Sequence, residues 1–220
     1  MHVVGNLKFY LAGASLGDEG PVIRAMLGLP DARPVLVAGS THRGEEEAML
    51  RAFQAARRSA PDLVLLLAPR HPERLAEVEG LLAQERIPWV RRSRLPGEEL
   101  QPVILLDTMG ELARVYAAGT IVYIGGSLVP IGGHNVLEAA AHARPVLFGP
   151  HMGNFAEMAR LFLEEGAGLQ VRDANELGEQ IIRLLADPGT ASRMGQAGRG
   201  IVDAHRGASR RTVDLLETIL

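Results

Sequence analysis

Short apolar runs rich in Val, Ile and Leu recur along the chain and alternate with stretches of helical periodicity. The runs are PVLVAGS (34–40), DLVLLLAP (62–69), IPWVRR (87–92), PVILLD (102–107), TIVYIGG (120–126) and PVLFGP (145–150), with a weaker GLQV (168–171). They are continuous rather than alternating. Strands buried on both faces need this, as inside a parallel sheet covered by helices. Helical patterns lie between them at 44–58, 72–84, 111–117, 135–142, 154–165 and 175–186, and two more, 190–204 and 208–220, close the chain. No internal repeat or low-complexity linker interrupts the β–α alternation. The pattern predicts an α/β fold, a doubly wound and mostly parallel Rossmann-like sheet, in a single domain over 1–220.

Ligands of such sheets sit beyond the carboxyl ends of the strands, near the point where strand order reverses. The segments that follow the strands are therefore the place to look for chemistry. They read Ser40-Thr41-His42-Arg43-Gly44-Glu45, Pro69-Arg70-His71, Asp107-Thr108-Met109-Gly110-Glu111, Gly125-Gly126-Ser127, and Gly149-Pro150-His151-Met152-Gly153-Asn154. Five polar segments at equivalent positions predict a site.

The segment that begins at Gly125 continues as GGSLVPIGGHNVLE (125–138) and holds two glycine doublets. Gly132 and Gly133 precede a predicted helix start, where close backbone approach and unpaired N–H groups favour a phosphate. Glu138, one turn in, has a carboxylate able to accept from two ribose hydroxyls. The structural alternative is a glycine-rich turn with Asn135 as helix cap and Glu138 as a favourable charge at the dipole. Arg70 and His71, just past a buried strand, suit phosphate or carboxylate; the alternative is a solvated turn between Pro69 and Pro72. In GSTHRGEEE (39–47), Ser40 or Thr41 with Glu45 or Glu46 resembles a capping arrangement, and three glutamates suit a helix start. His42 and Arg43 are left unexplained by capping, and a direct ligand role stays open for them. DTMGE (107–111) is either pocket lining or a loop. His2, His142 and His205 are isolated and read as surface or core residues, and Arg91, Arg92 and Arg94 as water-facing, with anionic lipid or a second domain as alternatives.

Composition narrows the chemistry. Net charge is −3 and the pI is about 6.2, which gives no electrostatic footprint for nucleic acid. The absence of cysteine excludes disulfides, thiolate metal sites and a cysteine nucleophile. Lys8 is the only lysine, so 22 of the 23 basic residues are arginine. The start MHVVGNLKFY lacks a signal-peptide pattern, and the apolar stretch 121–131 is broken by glycine and proline. A soluble, at most membrane-peripheral, cytoplasmic chain is expected. No G-x-x-x-x-G-K-[ST], no G-x-G-x-x-G after the first strand, no H-E-x-x-H and no Asp-x-Asp occurs, and the one G-x-S-x-G match, GASLG (13–17), follows no strand-like run and so is no nucleophile elbow. A metal-free, glycine-lined anion site remains.

STHRGEE, PRHPER, DTMGEL, GGSLVPIGGHNVLE and GPHMGNF, in this order and spacing, resemble the C-terminal half of bacterial Kdo (3-deoxy-D-manno-octulosonic acid) transferases. These are GT-B glycosyltransferases that move Kdo from CMP-Kdo onto the lipid A precursor. The resemblance covers essentially the whole chain, and GNLKF near the start is similar to the family's interdomain segment. It implies that 1–33 comprises that segment plus a first helix, that 205–220 is a C-terminal helix, and that an N-terminal half carries the acceptor site and the general base. Catalytic residues of this chain are therefore unassigned, and turnover is not expected from it alone. By resemblance, Arg70 and His71 meet the CMP phosphate or Kdo carboxylate. Gly126, Ser127, Gly132, Gly133 and Asn135 lie near the phosphate, and Glu138 takes the ribose. Met109, Gly110 and Glu111 surround the nucleotide, with Ser40 and Thr41 nearby. No metal or cofactor is implied, since CMP-Kdo carries one phosphate; the full enzyme would sit on the cytoplasmic face of the inner membrane. Two positions depart from the family pattern: Ala139 where proline is common, and Gly119 where an acidic residue is common. A UDP-sugar GT-B enzyme such as a 2-epimerase, and a noncatalytic nucleotide-binding module, are the competing readings.

Overall fold

The computed structural model describes residues 19–219, with side chains described to residue 204. The segment GNLKF, His2, Lys8 and the side chain of His205 lie outside the described residues. Seven parallel strands form one sheet: β1 (Val35–Thr41), β2 (Val64–Pro69), β3 (Trp89–Arg91), β4 (Val103–Leu105), β5 (Ile121–Ile124), β6 (Val146–Phe148) and β7 (Gly168–Gln170), in the order β3-β4-β2-β1-β5-β6-β7. All seven apolar runs are strands, the weak GLQV included.

Each strand turns alternate side chains to opposite faces, so an unbroken apolar run feeds two cores at once. Val35 and Val37 of β1 pack with Val122, Ile124 and Phe148 on one face. Leu36 and Ala38 pack with Leu65, Leu67, Tyr123 and Leu147 on the other. The second face is covered by α2 (Glu45–Arg57), α3 (Leu75–Gln84) and α7 (Ala174–Ala186), which supply Met49, Phe53, Leu82, Leu177 and Ile181. The first is covered by α1 (Gly20–Met26), α4 (Leu112–Val115), α5 (Leu137–Ala140), α6 (Ala156–Glu164) and α8 (Pro188–Ile219). Asp173 caps α7, accepting from the N–H groups of Asn175 at 2.8 Å and Glu176 at 3.0 Å.

Two helical expectations are corrected. The helix expected at 135–142 is only the four residues of α5. Positive φ angles at Gly132 and Gly133 hold the preceding chain in a loop, and the chain leaves the helix at Ala143, also at positive φ. The two closing helices are one, α8, because Gly207 is the sole helix-weakening residue in the expected gap at 205–207 and a lone helical glycine costs about 1 kcal/mol without ending a helix. Among the described residues no helix is long and apolar enough to cross a membrane.

Strand order reverses between β1 and β5. In such a sheet the ligand crevice is expected at that reversal, beyond the carboxyl ends of the strands.

Candidate functional site

The crevice is built around an irregularity at the end of β1. Pairing with β2 shifts register between Gly39 and Thr41, and Ser40 bulges there with a left-handed φ of 55°. The Arg70 N–H closes the end of the strand on the Thr41 carbonyl at 2.9 Å. Gly125, at the end of β5, passes so near that a Cβ would overlap the Ser40 carbonyl. The bulge therefore turns Ser40 toward a cleft of about 120 Å³ whose lining includes Arg70, Asp107, Met109 and Gly110.

Glu45 organises the glycine loop. It opens α2 after Gly44, whose φ is 91°, and is fully buried. Its carboxylate accepts the N–H groups of Gly126 at 2.6 Å, Ser127 at 3.0 Å and Leu128 at 2.9 Å. It also accepts the Tyr123 hydroxyl at 2.7 Å and the His42 N–H at 3.0 Å. Three successive N–H groups aimed at one carboxylate form an anion nest filled from inside the protein. The first doublet's donors are thus engaged by Glu45 rather than turned to the crevice. Ser127 is buried as well, its Oγ donating to the Ile124 carbonyl and accepting the Gly149 N–H at 2.8 Å. The capping expected from Ser40 or Thr41 is replaced by the Glu45 bond to the His42 N–H, and Gly44 caps α2 without a side chain. Glu46 turns the other way, to Arg74, at 2.7 and 3.2 Å.

The second doublet folds back on the first, the Gly133 N–H donating to the Gly126 carbonyl at 2.7 Å. This brings His134 over Gly126, where a Cβ would lie 3.0 Å from the His134 ring and 3.4 Å from that of His42. The two rings meet end to end with their planes 7° from parallel, centroids 5.1 Å apart and Nε2 atoms 2.8 Å apart. His71 meets His42 edge-on at 5.5 Å. Burial lowers the pKa of both His42 and His134, that of His134 to about 4, with His42 and Arg70 adding repulsion. The three histidines do not converge on a point: among the described residues no group of three or more His, Asp or Glu is arranged to hold a metal ion.

Arg70 is exposed, and its guanidinium makes no hydrogen bond or ion pair among the described residues. The other arginines nearby are committed elsewhere. Arg43 pairs with Glu77 at 2.6 Å on the outer surface, which accounts for it without a ligand. Arg74 is held by Glu46 and Glu77. The water-facing expectation for Arg91, Arg92 and Arg94 is corrected at Arg92, which is 8% exposed and bonds the Leu95 carbonyl and Glu111. Arg91 pairs with Glu79 and Arg94 with Glu98.

Glu138 is half-buried, and its carboxylate receives a single hydrogen bond among the described residues, from Asn135 Nδ2 at 3.3 Å. Burial raises its pKa against the opposing pull of Asn135 and the positive charge of Arg70. Asn135 caps the short α5 from two residues away, its Oδ1 accepting the Leu137 N–H at 3.1 Å. Glu111 is spent on Arg92 and Thr108, whereas Met109 is 79% exposed at the rim of the cleft. Ser40, Arg70, Met109 and Gly110 thus share the cleft. Asn135, Glu138 and the second doublet stand at the glycine loop, while Thr41, Ser127 and Glu111 are engaged in holding the frame. His142 donates to or accepts from nothing at the crevice; its Nε2 contacts the Ala113 carbonyl at 2.8 Å. Sequence reasoning missed Glu45 as the loop's anchor, since three adjacent glutamates at a helix start carry no mark of which one turns inward.

No protein-family model matches the chain. It is 40% identical over 227 residues to the 3-deoxy-D-manno-octulosonic acid transferase of Haemophilus influenzae, covering 100% of this chain and 52% of the relative. The Bordetella pertussis transferase of the same description is 40% identical over 190 residues, 84% of this chain and 44% of the relative. The chain thus spans about half the length of the curated relatives it matches. Among solved structures, the C-terminal CMP-Kdo binding domain of WaaA from Acinetobacter baumannii superposes with a TM-score of 0.76 at 30% identity, over 90% of this chain and 99% of that domain. The chain belongs to the 3-deoxy-D-manno-octulosonic acid transferase family and corresponds to the C-terminal half of its members.

Proposed function

We propose that this chain is the donor-binding half of a metal-independent, inverting Kdo transferase and that the β1/β5 crevice takes CMP-Kdo. The observation that carries the reading is the contrast at the crevice. Among the described residues the Arg70 guanidinium has no partner where neighbouring arginines are paired, and the half-buried Glu138 carboxylate holds one long hydrogen bond. A cation and an acceptor left unspent on one ligand-binding edge suit the phosphate and the ribose hydroxyls of one nucleotide. Arg70, with His71 beside it, meets the phosphate or the Kdo carboxylate. Gly132, Gly133 and Asn135 border the phosphate, Glu138 accepts from the ribose, and Ser40, Met109 and Gly110 line the nucleotide cleft. Gly126, Ser127, Thr41 and Glu111 serve by holding the loops that carry these groups.

In this reading catalysis is positioning together with stabilisation of the departing phosphate. An N-terminal half brings the lipid A precursor and the general base, so the catalytic base is outside this chain. The assembled enzyme works at the cytoplasmic face of the inner membrane, and the interdomain segment that the resemblance implies within 1–33, ahead of the first helix, links the halves. A calorimetric titration with CMP, UMP and UDP, with and without Mg²⁺, tests this. Preference for CMP that is indifferent to Mg²⁺ supports it, UDP preference turns the reading toward a UDP-sugar enzyme, and no binding of any nucleotide removes it.

A further inference from the structure

His42 and His134 come from loops 92 positions apart, yet their Nε2 atoms meet at 2.8 Å. A contact that short needs one hydrogen between the two nitrogens. With none, two lone pairs oppose each other; with two, the N–H groups collide. One ring therefore donates and the other accepts, and the contact cannot survive in a pair where both rings are charged. Both rings sit over Gly126, whose carbonyl is held by the Gly133 N–H and whose own N–H is held by Glu45.

The surroundings set the charge of the free pair. Facing it from the end of β2 and the turn that follows are Arg70, His71 and Arg74, all of which disfavour an added proton. Facing it from the start of α2 is Glu45, which favours one but whose carboxylate is already bonded to four N–H groups and the Tyr123 hydroxyl. Glu138, across the crevice, acts on Arg70. Burial acts in the same direction as the cations, and together with the 2.8 Å contact this favours a neutral pair with a single shared hydrogen before a ligand binds. An anion seated by Arg70 reverses this balance: it cancels the arginine's repulsion and offers an acceptor to a freed ring N–H.

We infer that His42 and His134 are ligand-binding residues acting as one unit, and that the crevice takes up a proton onto this pair when it binds a phosphate-bearing ligand. The inference rests on the nucleotide reading of the crevice but reaches past it, to a change in protonation that the ligand brings about. A phosphate monoester probe such as CMP is already mostly dianionic at pH 7, because its second pKa is about 6. A nearby arginine can only strip its residual proton. Any net uptake on binding at pH 7 to 8 therefore comes from the protein. The sign follows: a group whose pKa is raised in the complex binds ligand best below that pKa, so affinity falls as pH rises through it. One linked proton corresponds to about tenfold in Kd per pH unit within that window.

The test titrates CMP into the 220-residue chain at pH 7 and 8, in buffers of differing ionisation enthalpy, and follows the histidine ring ¹⁵N shifts in the same samples. Expected are net proton uptake, a Kd that weakens by about three- to tenfold from pH 7 to 8, and protonation shifts at His42 or His134. CMP binding with no proton uptake, or uptake with the ring nitrogens of both residues unmoved, overturns the inference while leaving the nucleotide site intact. Absence of CMP binding removes both. His42→Gln, checked for folding by its thermal melt, is expected to lose the uptake; a folded variant that binds CMP and retains it also overturns the pairing.

Discussion

Tyr123 donates its hydroxyl to Glu45 at 2.7 Å, joining β5 to the start of α2 beneath the crevice. The same carboxylate gathers three N–H groups of the glycine loop, so the loop's shape depends on one buried side chain. Glu45→Ala would strand these donors in the interior, and each unsatisfied buried group costs about 1–3 kcal/mol. A net loss of about 3 kcal/mol is expected after partial hydration of the gap, read as a shift of the urea midpoint. Glu45→Gln, which keeps the shape but turns an NH₂ toward donors, should fall between Ala and the unmodified protein. Unchanged stability in Glu45→Ala would show that the loop holds itself.

Arg70→Ala should separate binding from folding. The guanidinium is exposed and unpaired among the described residues, so the melting temperature should not move. Loss of a charge-assisted bond to phosphate should weaken CMP by about 1.5–3 kcal/mol, roughly 10- to 150-fold. An affinity within twofold of the unmodified chain, measured by calorimetry, would place Arg70 in solvent.

Glu138 is expected to oppose stability in the empty domain. Burial raises its folded-state pKa above its unfolded value. A proton on it therefore favours the fold: this contribution is fully present below the unfolded pKa and is lost as pH rises through the folded one. At pH 7 the charged, desolvated carboxylate costs stability. Glu138→Gln should raise the neutral-pH melting temperature and flatten its dependence on pH across the acidic range, while weakening CMP by about tenfold through loss of the charge and of one of the two oxygens that accept from the ribose. A lower melting temperature for the variant would contradict the burial argument.

Two glycines at the same end of the sheet should respond very differently to alanine. A Cβ on Gly125 would overlap the backbone of Ser40 and Thr41, which cannot turn aside, whereas one on Gly153 would meet nothing within 4 Å. Gly125→Ala should cost about 3 kcal/mol or more, or roughly 6–12 °C in melting temperature for a domain of this size. Gly153→Ala should be close to neutral. Equal effects would show that the two strand ends are not held together as described.

The strands were legible because each is a local property. A run such as VLVAGST or VLLLAP carries its own instruction, and its burial on both faces follows from β geometry once helices cover the sheet. The residue types beyond the strands were legible for a similar reason, since a parallel sheet sends every such segment to one edge. The helix expected at 135–142 was misjudged because apolar spacing does not register that two positive-φ glycines hold the approach in a loop. The closing stretch reads as two helices from its pattern, yet α8 runs through Gly207 because a single helical glycine costs only about 1 kcal/mol.

Amino-acid order alone determined the α/β alternation, the edge on which a ligand would sit, and the motifs that tie the chain to its family. Tertiary structure alone decided which polar groups at that edge are spent and which are left over. Glu45 meets Gly126 across 81 positions and His42 meets His134 across 92, whereas the Arg70 guanidinium meets no partner among the described residues. Periodicity acts over a few residues, through backbone geometry that repeats along the chain. Pairings at such separations depend on strand order and register, which place β1 beside β5 and so bring their loops together.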